Sequence, residues 1–288
     1  MSARPSVVRP SEAGILFVVA TPLGNLKDIT LRALEVLKSA DLIASEDTRT
    51  TRKLLSTYGI KTKLISLHEH NEKRRTPEII SRLKSGWRVA LVSEAGTPGI
   101  SDPGAYLVRQ ARAAGIQVIP VPGPSAPIAA LSVSGIRAEA FVFLGFLPQS
   151  LSKKTEIFST LRYQQLPVVF FESPRRIKES LQVAVRILGD REAFLAREMT
   201  KVHEEYYLGS LKQLTEMISE REARGEFVVV ISGAKAEVGQ IDLSDLICQL
   251  LEDGLPAGEV ARVLARDLGL SRKELYKKII SIKRGDDG

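Results

Sequence analysis

The sequence predicts an α/β protein with two sheets and a small helical tail. Apolar runs of strand length alternate with helical segments up to about Gly135, a pattern typical of a parallel sheet. Beyond that point strands outnumber helices and some follow one another closely, which indicates a second, mixed sheet. From about Leu243 the periodicity is helical only. We therefore expect a disordered lead-in at 1–13, an N-terminal α/β domain at 14–135, a second α/β domain at 136–238 and a helix-turn-helix-like domain at 239–288.

The first sheet is predicted from five short apolar runs, each bounded by turn-forming residues. These strands are expected at 15–20, 42–44, 64–67, 89–93 and 118–121. Segments with one apolar face predict the helices between them, at about 28–39, up to 58, 76–85 and 103–114. Because the carboxyl ends of parallel strands share one edge of a sheet, the loops that follow them are expected to lie close together.

The second sheet and the tail are predicted in the same way. Strands are expected at 141–146, 168–172, 193–197, 205–208 and 227–231, with helices at about 153–162, up to 188 and at 211–222. In the tail, three short helical segments place Leu275, Ile279 and Ile280 inward and leave a basic face outside. A small packing appendage with a solvated face is the alternative interpretation of this tail.

Composition excludes several classes of protein. The chain has 288 residues, of which 44% are hydrophobic and 26% charged, as in an ordinary globular protein. A single cysteine, Cys248, excludes an intramolecular disulfide, and only three histidines are present, so we expect no metal site. No apolar run is long enough to span a membrane, and residues 1–13 lack the apolar core of a signal peptide. A cytoplasmic protein without a membrane partner is the resulting expectation.

Positive charge is concentrated in two segments. The net charge is +7, and residues 47–88 alone hold eleven Lys or Arg against four Asp or Glu. Residues 271–284 hold six positive side chains against one negative. Such clusters suit a nucleic-acid backbone, although a solvated face is an equally common cause. The candidate RNA contacts are Arg49, Arg52, Lys53, Arg74, Arg75, Arg272, Lys273, Lys277 and Lys278.

The stretch at 93–104, SEAGTPGISDPG, follows a predicted buried strand and organises the candidate site. A helix is expected to begin at Pro103, with Ser101 or Asp102 capping its free amides. A strand, a loop of small residues and a helix N-terminus form the place where open α/β sheets bind ligands. A plain turn rich in glycine is the alternative, although such a turn needs only a few residues.

Common nucleotide and hydrolase motifs are absent. The sequence contains no G-x-x-x-x-G-K-[ST], and no G-x-G-x-x-G follows the first strand. Residues 123–127, GPSAP, fail the G-x-S-x-G pattern at the last position. What remains are hydroxyls, carboxylates and backbone amides at strand ends. These groups suit a polar small molecule with an amine and a carboxylate, held without covalent capture.

Seven ordered motifs carry a resemblance to a known family. They are VATPLGNLKDIT, SEDTRTTRKLL, LVSEAGTPGISDPG, VPGPSA, FFESPRR, AREMTKVHEE and RGEFVVVISG, and the tail segment GLSRKELYK agrees as well. They resemble the ribosomal RNA small-subunit 2′-O-ribose methyltransferase I family of the tetrapyrrole (corrin/porphyrin) methylase superfamily. The resemblance implies two α/β domains of the tetrapyrrole methylase type, S-adenosylmethionine in the cleft between them, and usually a homodimer. The implied substrate is a cytidine ribose in the decoding centre of 16S rRNA within the small ribosomal subunit.

The same resemblance implies a set of cofactor-binding residues. The first loop supplies Ala95, Gly96, Thr97, Ser101 and Asp102, and the second supplies Pro122, Gly123, Ser125 and Ala126. The second domain supplies Phe171, Glu172, Arg197, Glu198, Met199 and Glu226. Alternative interpretations are a helix cap for Asp102, a tight proline turn for the second loop and a core position for Phe171. The sequence departs from the family pattern where we expect Asp instead of Glu94 and an aliphatic residue instead of Gly99.

Methyl transfer to a ribose hydroxyl is an in-line displacement that a positioned base assists. Candidate bases in the first two loops are Asp28, Glu46 and Asp47, while Arg49 or Arg52 could hold an adjacent phosphate. A structural cap formed by Asp47 with Arg49 is an equally good interpretation. Two other functions stay open, namely methylation of a tetrapyrrole intermediate and a non-catalytic RNA-binding role in ribosome assembly.

Overall fold

The structure, a computed structural model, describes residues 14–220, 223–234, 243–252, 255–268 and 270–284. The lead-in expected at 1–13 lies outside these ranges. The chain divides into two compact units, Met1–Gly233 and Ala234–Gly288. Within the described ranges, no helix is both long enough and apolar enough to cross a membrane. The domain boundaries predicted at 135 and 238 stay predictions.

The first sheet is fully parallel, which confirms the prediction made from the alternating pattern. Its strands lie in the order β3-β2-β4-β1-β5. They are β1 (Ile15–Val19), β2 (Leu42–Ser45), β3 (Leu64–Ser66), β4 (Arg88–Val92) and β5 (Gln117–Val121). All five carboxyl ends therefore lie at one edge of the sheet.

Helices cover both faces of this sheet. They are α1 (Leu31–Ser39), α2 (Thr48–Thr57), α3 (Glu72–Lys84) and α4 (Ala105–Ala113), with a short 3-10 helix at Leu26–Asp28. Successive residues of a strand point to opposite faces. Phe17 of β1 accordingly packs with residues of α1 and α2, whereas Leu16 packs with residues of α3 and α4. Burial on both faces explains why the central strands β1, β2 and β4 are largely continuous apolar runs.

The second sheet is mixed, as predicted, and lies in the same compact unit. Its strands are β6 (Val142–Phe146), β7 (Val168–Glu172), β8 (Glu192–Arg197), β9 (Glu205–Ser210) and β10 (Phe227–Ile231). The order is β6-β7-β10-β8-β9, with β6 and β7 parallel and the other pairs antiparallel. One face packs against α6 (Leu151–Thr160), α7 (Ile177–Leu188) and α8 (Leu211–Ser219). The other face packs against α5 (Ala126–Val133), the helix that follows β5.

The C-terminal unit contains the three helices predicted for the tail. They are α9 (Leu243–Glu252), α10 (Ala257–Leu268) and α11 (Arg272–Arg284). Leu275 and Ile279 of α11 are buried in the core of this unit, and Ile280 is half-buried. The outward face of α11 is basic, and the four tail residues predicted to contact RNA are exposed.

Candidate functional site

A cavity of about 510 Å³ opens at the carboxyl edge of the first sheet. Residues that follow β1, β2, β4 and β5 form most of its wall, as expected for an open α/β sheet. The second sheet and its loops close the cavity with the side chains of Phe146, Phe171, Met199, Lys201, Glu226, Phe227 and Val228.

Many of the predicted cofactor residues meet in this cavity. From the first sheet its wall includes Ala95, Gly96, Thr97, Ser101, Asp102, Ser125 and Ala126. From the second sheet it includes Phe171, Met199 and Glu226, together with the candidate base Glu46 from the end of β2. Motifs separated by more than a hundred residues therefore contribute to one pocket.

The loop between β4 and α4 is not capped as the sequence predicted. Helix α4 begins at Ala105, two residues later than expected, and its N-cap residue is Gly104. The carboxylate of Glu72, at the start of α3, accepts hydrogen bonds from the backbone amides of Gly104 and Leu107, both at 3.0 Å. The expectation that Ser101 or Asp102 caps this helix was wrong, because a side chain from another helix takes that place. Asp102 lines the cavity instead.

Hydrogen bonds connect the cavity loops to one another. Thr21 and Gly96 exchange backbone hydrogen bonds of 2.8 and 3.0 Å, which join the loops after β1 and β4. The hydroxyl of Thr97 donates to the carbonyl of Pro124 at 3.3 Å, which joins the loops after β4 and β5. The amide of Asn25 donates to the Thr200 hydroxyl at 3.1 Å. The last bond joins the loop after β1 to the loop after β8.

Three residues beside the cavity hold left-handed backbone conformations without being glycine. They are Ser101, Glu198 and Thr200, with φ of 64°, 50° and 64°. Such conformations are uncommon for residues with a Cβ and cluster at functional sites, where the surrounding structure holds them. Ser101 lines the cavity, and the other two belong to the loop after β8 that also supplies Met199 and Lys201.

Carboxylates dominate the electrostatics of the cavity. Burial and, after it, the like charge of Glu46 raise the pKa of Asp102 to about 6, although the nearby Ser93 hydroxyl opposes the shift. Burial also raises the pKa of Glu94, and the charges of Asp47, Glu46 and Glu226 raise it further. The wall therefore attracts cations, which are the groups that relieve repulsion between carboxylates.

The three candidate bases have different surroundings. Glu46 lines the cavity, and its Oε2 accepts a hydrogen bond of 3.3 Å from the Glu94 amide. Asp47 caps α2 and pairs with Arg49 at 2.9 Å, and hydrogen bonds from Arg49 lower the pKa of Asp47 to about 2. Asp28 is exposed in the short 3-10 helix and is not part of the cavity wall. The structure thus places only Glu46 of these three in the wall.

Several predicted cofactor residues lie outside the cavity wall. Pro122 and Gly123 are exposed beside it. The buried carboxylate of Glu172 accepts hydrogen bonds from the Ser180 hydroxyl at 2.6 Å and the Ser173 amide at 2.8 Å, and pairs with Arg176 at 2.7 Å. These partners occupy both oxygens, so Glu172 holds β7 to α7.

Arg197 and Glu198 are also outside the wall. Arg197 donates to the carbonyl of Arg224 at 2.6 Å and pairs with Glu205. Glu198 pairs with Lys201 at 3.0 Å, and Lys201 is equally close to Glu226 in the wall. Arg197 and Glu198 therefore support the loops that reach the cavity.

The predicted RNA contacts of the first unit are mostly exposed cations. The Arg49 side chain is 86% exposed although it pairs with Asp47. Arg52, Lys53 and Arg74 are exposed on α2 and α3. Arg75 is half-buried and pairs with Glu78 at 3.1 Å. The first four side chains are thus accessible to a large anionic partner.

Sequence reasoning missed several residues of the wall, among them Ile100, Phe146 and Lys201. Gly145 was the available signal for Phe146, since an isolated glycine inside a strand indicates a bulge. Lys201 carried no such signal, because its position depends on the left-handed turn at Glu198 and Thr200. Across the described ranges, no three His, Cys, Asp or Glu side chains form a group suited to a metal ion.

The fold and the cavity indicate the class of protein to which this chain belongs. The family model described as Tetrapyrrole (Corrin/Porphyrin) Methylases matches residues 16–215, the part of the chain that builds both sheets. Among solved structures, a uroporphyrin-III C-methyltransferase from Thermus thermophilus is similar with a TM-score of 0.55 and 19% identity, covering 75% of this chain and 94% of that one. A diphthine synthase is similar with a TM-score of 0.61 and 16% identity, covering 76% and 90%. At such identities these two likenesses establish the fold alone.

Curated relatives identify the family within this class. A protein of Mesorhizobium japonicum is 43% identical over 97% of both chains, and one of Synechocystis is 42% identical over 96% of this chain and 100% of its own. A third, from Bacillus subtilis, is 40% identical over 92% and 94%. Each is named ribosomal RNA small subunit methyltransferase I. This chain belongs to that family, which confirms the resemblance carried by the seven motifs.

Proposed function

We propose that this protein transfers a methyl group from S-adenosylmethionine to the 2′-oxygen of a cytidine ribose in the decoding centre of 16S rRNA. The observation that carries the proposal is the 43% identity over 97% of both chains with a ribosomal RNA small subunit methyltransferase I. The cavity at the strand ends supports it, because it unites the motifs that carried the resemblance. The proposed acceptor is the small ribosomal subunit, and the proposed location is the cytoplasm.

The residues of the cavity fit the proposed cofactor. Its volume of about 510 Å³ lies in the range of small-molecule sites. The Asp102 carboxylate can accept hydrogen bonds from an ammonium group. Backbone amides at the start of α5 can donate to a carboxylate. A wall rich in carboxylates also suits a sulfonium ion, which carries a positive charge.

In the proposed reaction, this chain supplies orientation and a base. When bound, S-adenosylmethionine supplies an electrophilic methyl carbon on sulfur and leaves as a neutral thioether. The ribose oxygen forms the new bond to this carbon as the carbon–sulfur bond breaks, and its proton must go to an acceptor. We assign that task to Glu46 because this residue lines the cavity, whereas Asp47 pairs with Arg49 as a charged helix cap. Alignment of oxygen, carbon and sulfur accounts for much of the rate.

RNA is proposed to lie across the exposed cations outside the acidic cavity. Arg49, Arg52, Lys53 and Arg74 of the first unit can hold phosphates, and so can the basic face of α11. This division of charge fits a reaction in which a single ribose enters the cavity while the phosphates stay at the cations. It fits a tetrapyrrole less well, because carboxylates on such a substrate would meet Glu46, Glu94 and Asp102.

We also propose a homodimer. Apolar side chains are exposed on α5 and on the edge strand β9, with Ile128, Val133 and Leu208 each more than half exposed. Edge strands with apolar residues are prone to pair with another chain. Light scattering at micromolar concentration should give twice the chain mass of 31.6 kDa. A monomer at that concentration would reject this part of the proposal.

Labelled S-adenosylmethionine tests the proposed function directly. The protein is incubated with unmodified small ribosomal subunits in one tube and with tetrapyrrole precursors in another. We expect label only in the 16S RNA, recovered as 2′-O-methylcytidine after digestion. Replacing Glu46 with Gln should lower kcat by about 100-fold or more while leaving cofactor affinity nearly unchanged. Asp28→Asn, outside the wall, is the matched control. Label in the tetrapyrrole tube, or in neither, would reject the proposal.

A further inference from the structure

A β-bulge at the end of β6 turns one aromatic ring toward the cavity. Phe143 pairs with Val169 of β7, whereas Phe146 pairs with Phe171, so three steps on β6 match two on β7. The extra residue falls at Leu144–Gly145, and Gly145 has a φ of +63°. Bulges of this kind change the direction of a side chain and are common beside active sites.

The direction of Phe146 depends on this bulge. Val142 and Leu144 pack on the face of the second sheet that is covered by α6, α7 and α8. In a regular strand Phe146 would point to that same face, because side chains alternate. With the extra residue it lies instead with Phe143 against Phe171, at ring-centroid distances of 5.2 Å (Phe146–Phe171) and 5.1 Å (Phe143–Phe171). A local backbone feature therefore brings an aromatic side chain into the cavity wall.

Gly145 also fixes the position of the bulge against the loop after β4. A Cβ at this glycine would lie 2.7 Å from the Ser101 Oγ. Ser101 itself holds a left-handed conformation, with φ of 64°. Gly145 and Ser101, both with positive φ, thus face each other where the two sheets meet. Phe146 is the residue that follows Gly145.

The Phe146 ring is open to solvent at this position. Its exposed fraction is 54%, whereas the Phe171 ring that it contacts is half-buried. Ile100, on the loop after β4, is 51% exposed in the same wall. An exposed aromatic ring and an exposed aliphatic side chain in one wall offer apolar surfaces on which a planar base can pack.

We propose that Phe146 is the platform on which the acceptor nucleotide stacks its base while its ribose enters the cavity. This inference rests on the proposed function and names a residue on the acceptor side of the same site. The acceptor must arrive from solvent, so it meets the half-exposed ring of Phe146. The cofactor loops and Asp102 lie in the same wall and hold the methyl donor.

Four variants test the platform. Phe146→Ala removes the ring, Phe146→Leu keeps an apolar side chain without a π-face, and Phe146→Trp restores stacking. Leu151→Ala removes a side chain that is equally exposed, at 50%, on α6 outside the cavity wall. For each variant we measure KM with unmodified small ribosomal subunits, the affinity for S-adenosylmethionine by calorimetry, and the thermal midpoint.

Loss of stacking should raise KM for the subunit by about 5- to 140-fold in Phe146→Ala and Phe146→Leu. Phe146→Trp should stay near wild type, and so should Leu151→Ala. Cofactor affinity and the thermal midpoint should stay unchanged in all four. A wild-type KM in Phe146→Ala would overturn the inference, and a loss confined to cofactor affinity would assign the ring to adenine instead. If the wild-type protein itself methylates no subunit RNA, the proposed function fails and this inference fails with it.

Discussion

Replacing Asp102 with Asn should stabilise the protein at neutral pH while weakening its hold on the cofactor. Burial, together with the charge of Glu46, raises the pKa of Asp102 from 3.8 to about 6. A shift of about two units corresponds to about 3 kcal/mol, which solvent screening of this partly exposed group reduces to about 1–2 kcal/mol. For a unit of this size each kcal/mol changes the melting temperature by about 2–4 °C. Asp102→Asn should therefore melt about 2–8 °C higher at pH 8.

The direction of the pKa shift determines at which pH the substitution stabilises the protein. Since the pKa is higher in the folded than in the unfolded protein, the folded state binds the proton more tightly. The stability that this proton confers is present below about pH 4 and is lost as the pH rises to about 6. The variant does not titrate there, so its advantage should be full at pH 8 and absent near pH 4.

Asp47→Asn is the control for this experiment, and the change in stability should have the opposite sign. Hydrogen bonds from Arg49 lower the pKa of Asp47 to about 2, so its charged form stabilises the protein. Scanning calorimetry across pH 4–8 measures both variants, and titration calorimetry measures their affinity for S-adenosylmethionine. Equal melting of Asp102→Asn and wild type at pH 8, or a gain that is the same at pH 4, would refute the electrostatic reasoning. Cofactor affinity should fall in Asp102→Asn only.

Three further predictions concern other parts of the chain. Gly145→Ala should cost about 1–3 kcal/mol in urea unfolding, more than Gly59→Ala, because the two glycines have nearly the same positive φ but only Gly145 faces Ser101; equal losses would contradict this. Glu72→Ala should cost about 1–2 kcal/mol in urea unfolding by uncapping α4, with exposed Glu69→Ala as its neutral control; no loss would remove its capping role. Reversing the charges of Lys277 and Lys278 should reduce the salt dependence of RNA binding in a filter assay without affecting cofactor affinity, and an unchanged slope would exclude α11 as an RNA contact.

Most strands were predictable because they are short apolar runs with turn formers at their ends. The run expected at 89–93 is found as Arg88–Val92, and the strands at 168–172 and 227–231 are found without any shift. The loops at strand ends were predictable for the same reason, since parallel strands leave their carboxyl ends at one edge. The helix expected at 76–85 instead spans Glu72–Lys84 and contains Pro77.

What could not be predicted depends on contacts between distant segments. The cap of α4 is Glu72, more than thirty residues earlier in the chain, so local capping rules selected the wrong side chains. Glu172 lies at the end of a strand, where a site residue is expected. Its carboxylate instead binds Ser180 and Arg176 and so faces α7. Phe146 changes face through a single extra residue, and strand periodicity alone assigns it to the opposite side.

The bonds between Thr21 and Gly96, and between Thr97 and Pro124, have a consequence for ligand entry. They link the loops after β1, β4 and β5 to one another, so none of these loops can move away alone without breaking a hydrogen bond to its neighbour. The conformational entropy of these segments is lost when the chain folds, before any ligand arrives, which lowers the entropic cost of binding. Amide hydrogens of Thr21 and Gly96 should accordingly exchange slowly with deuterium in the ligand-free protein, at rates closer to those of the strands than to those of surface turns.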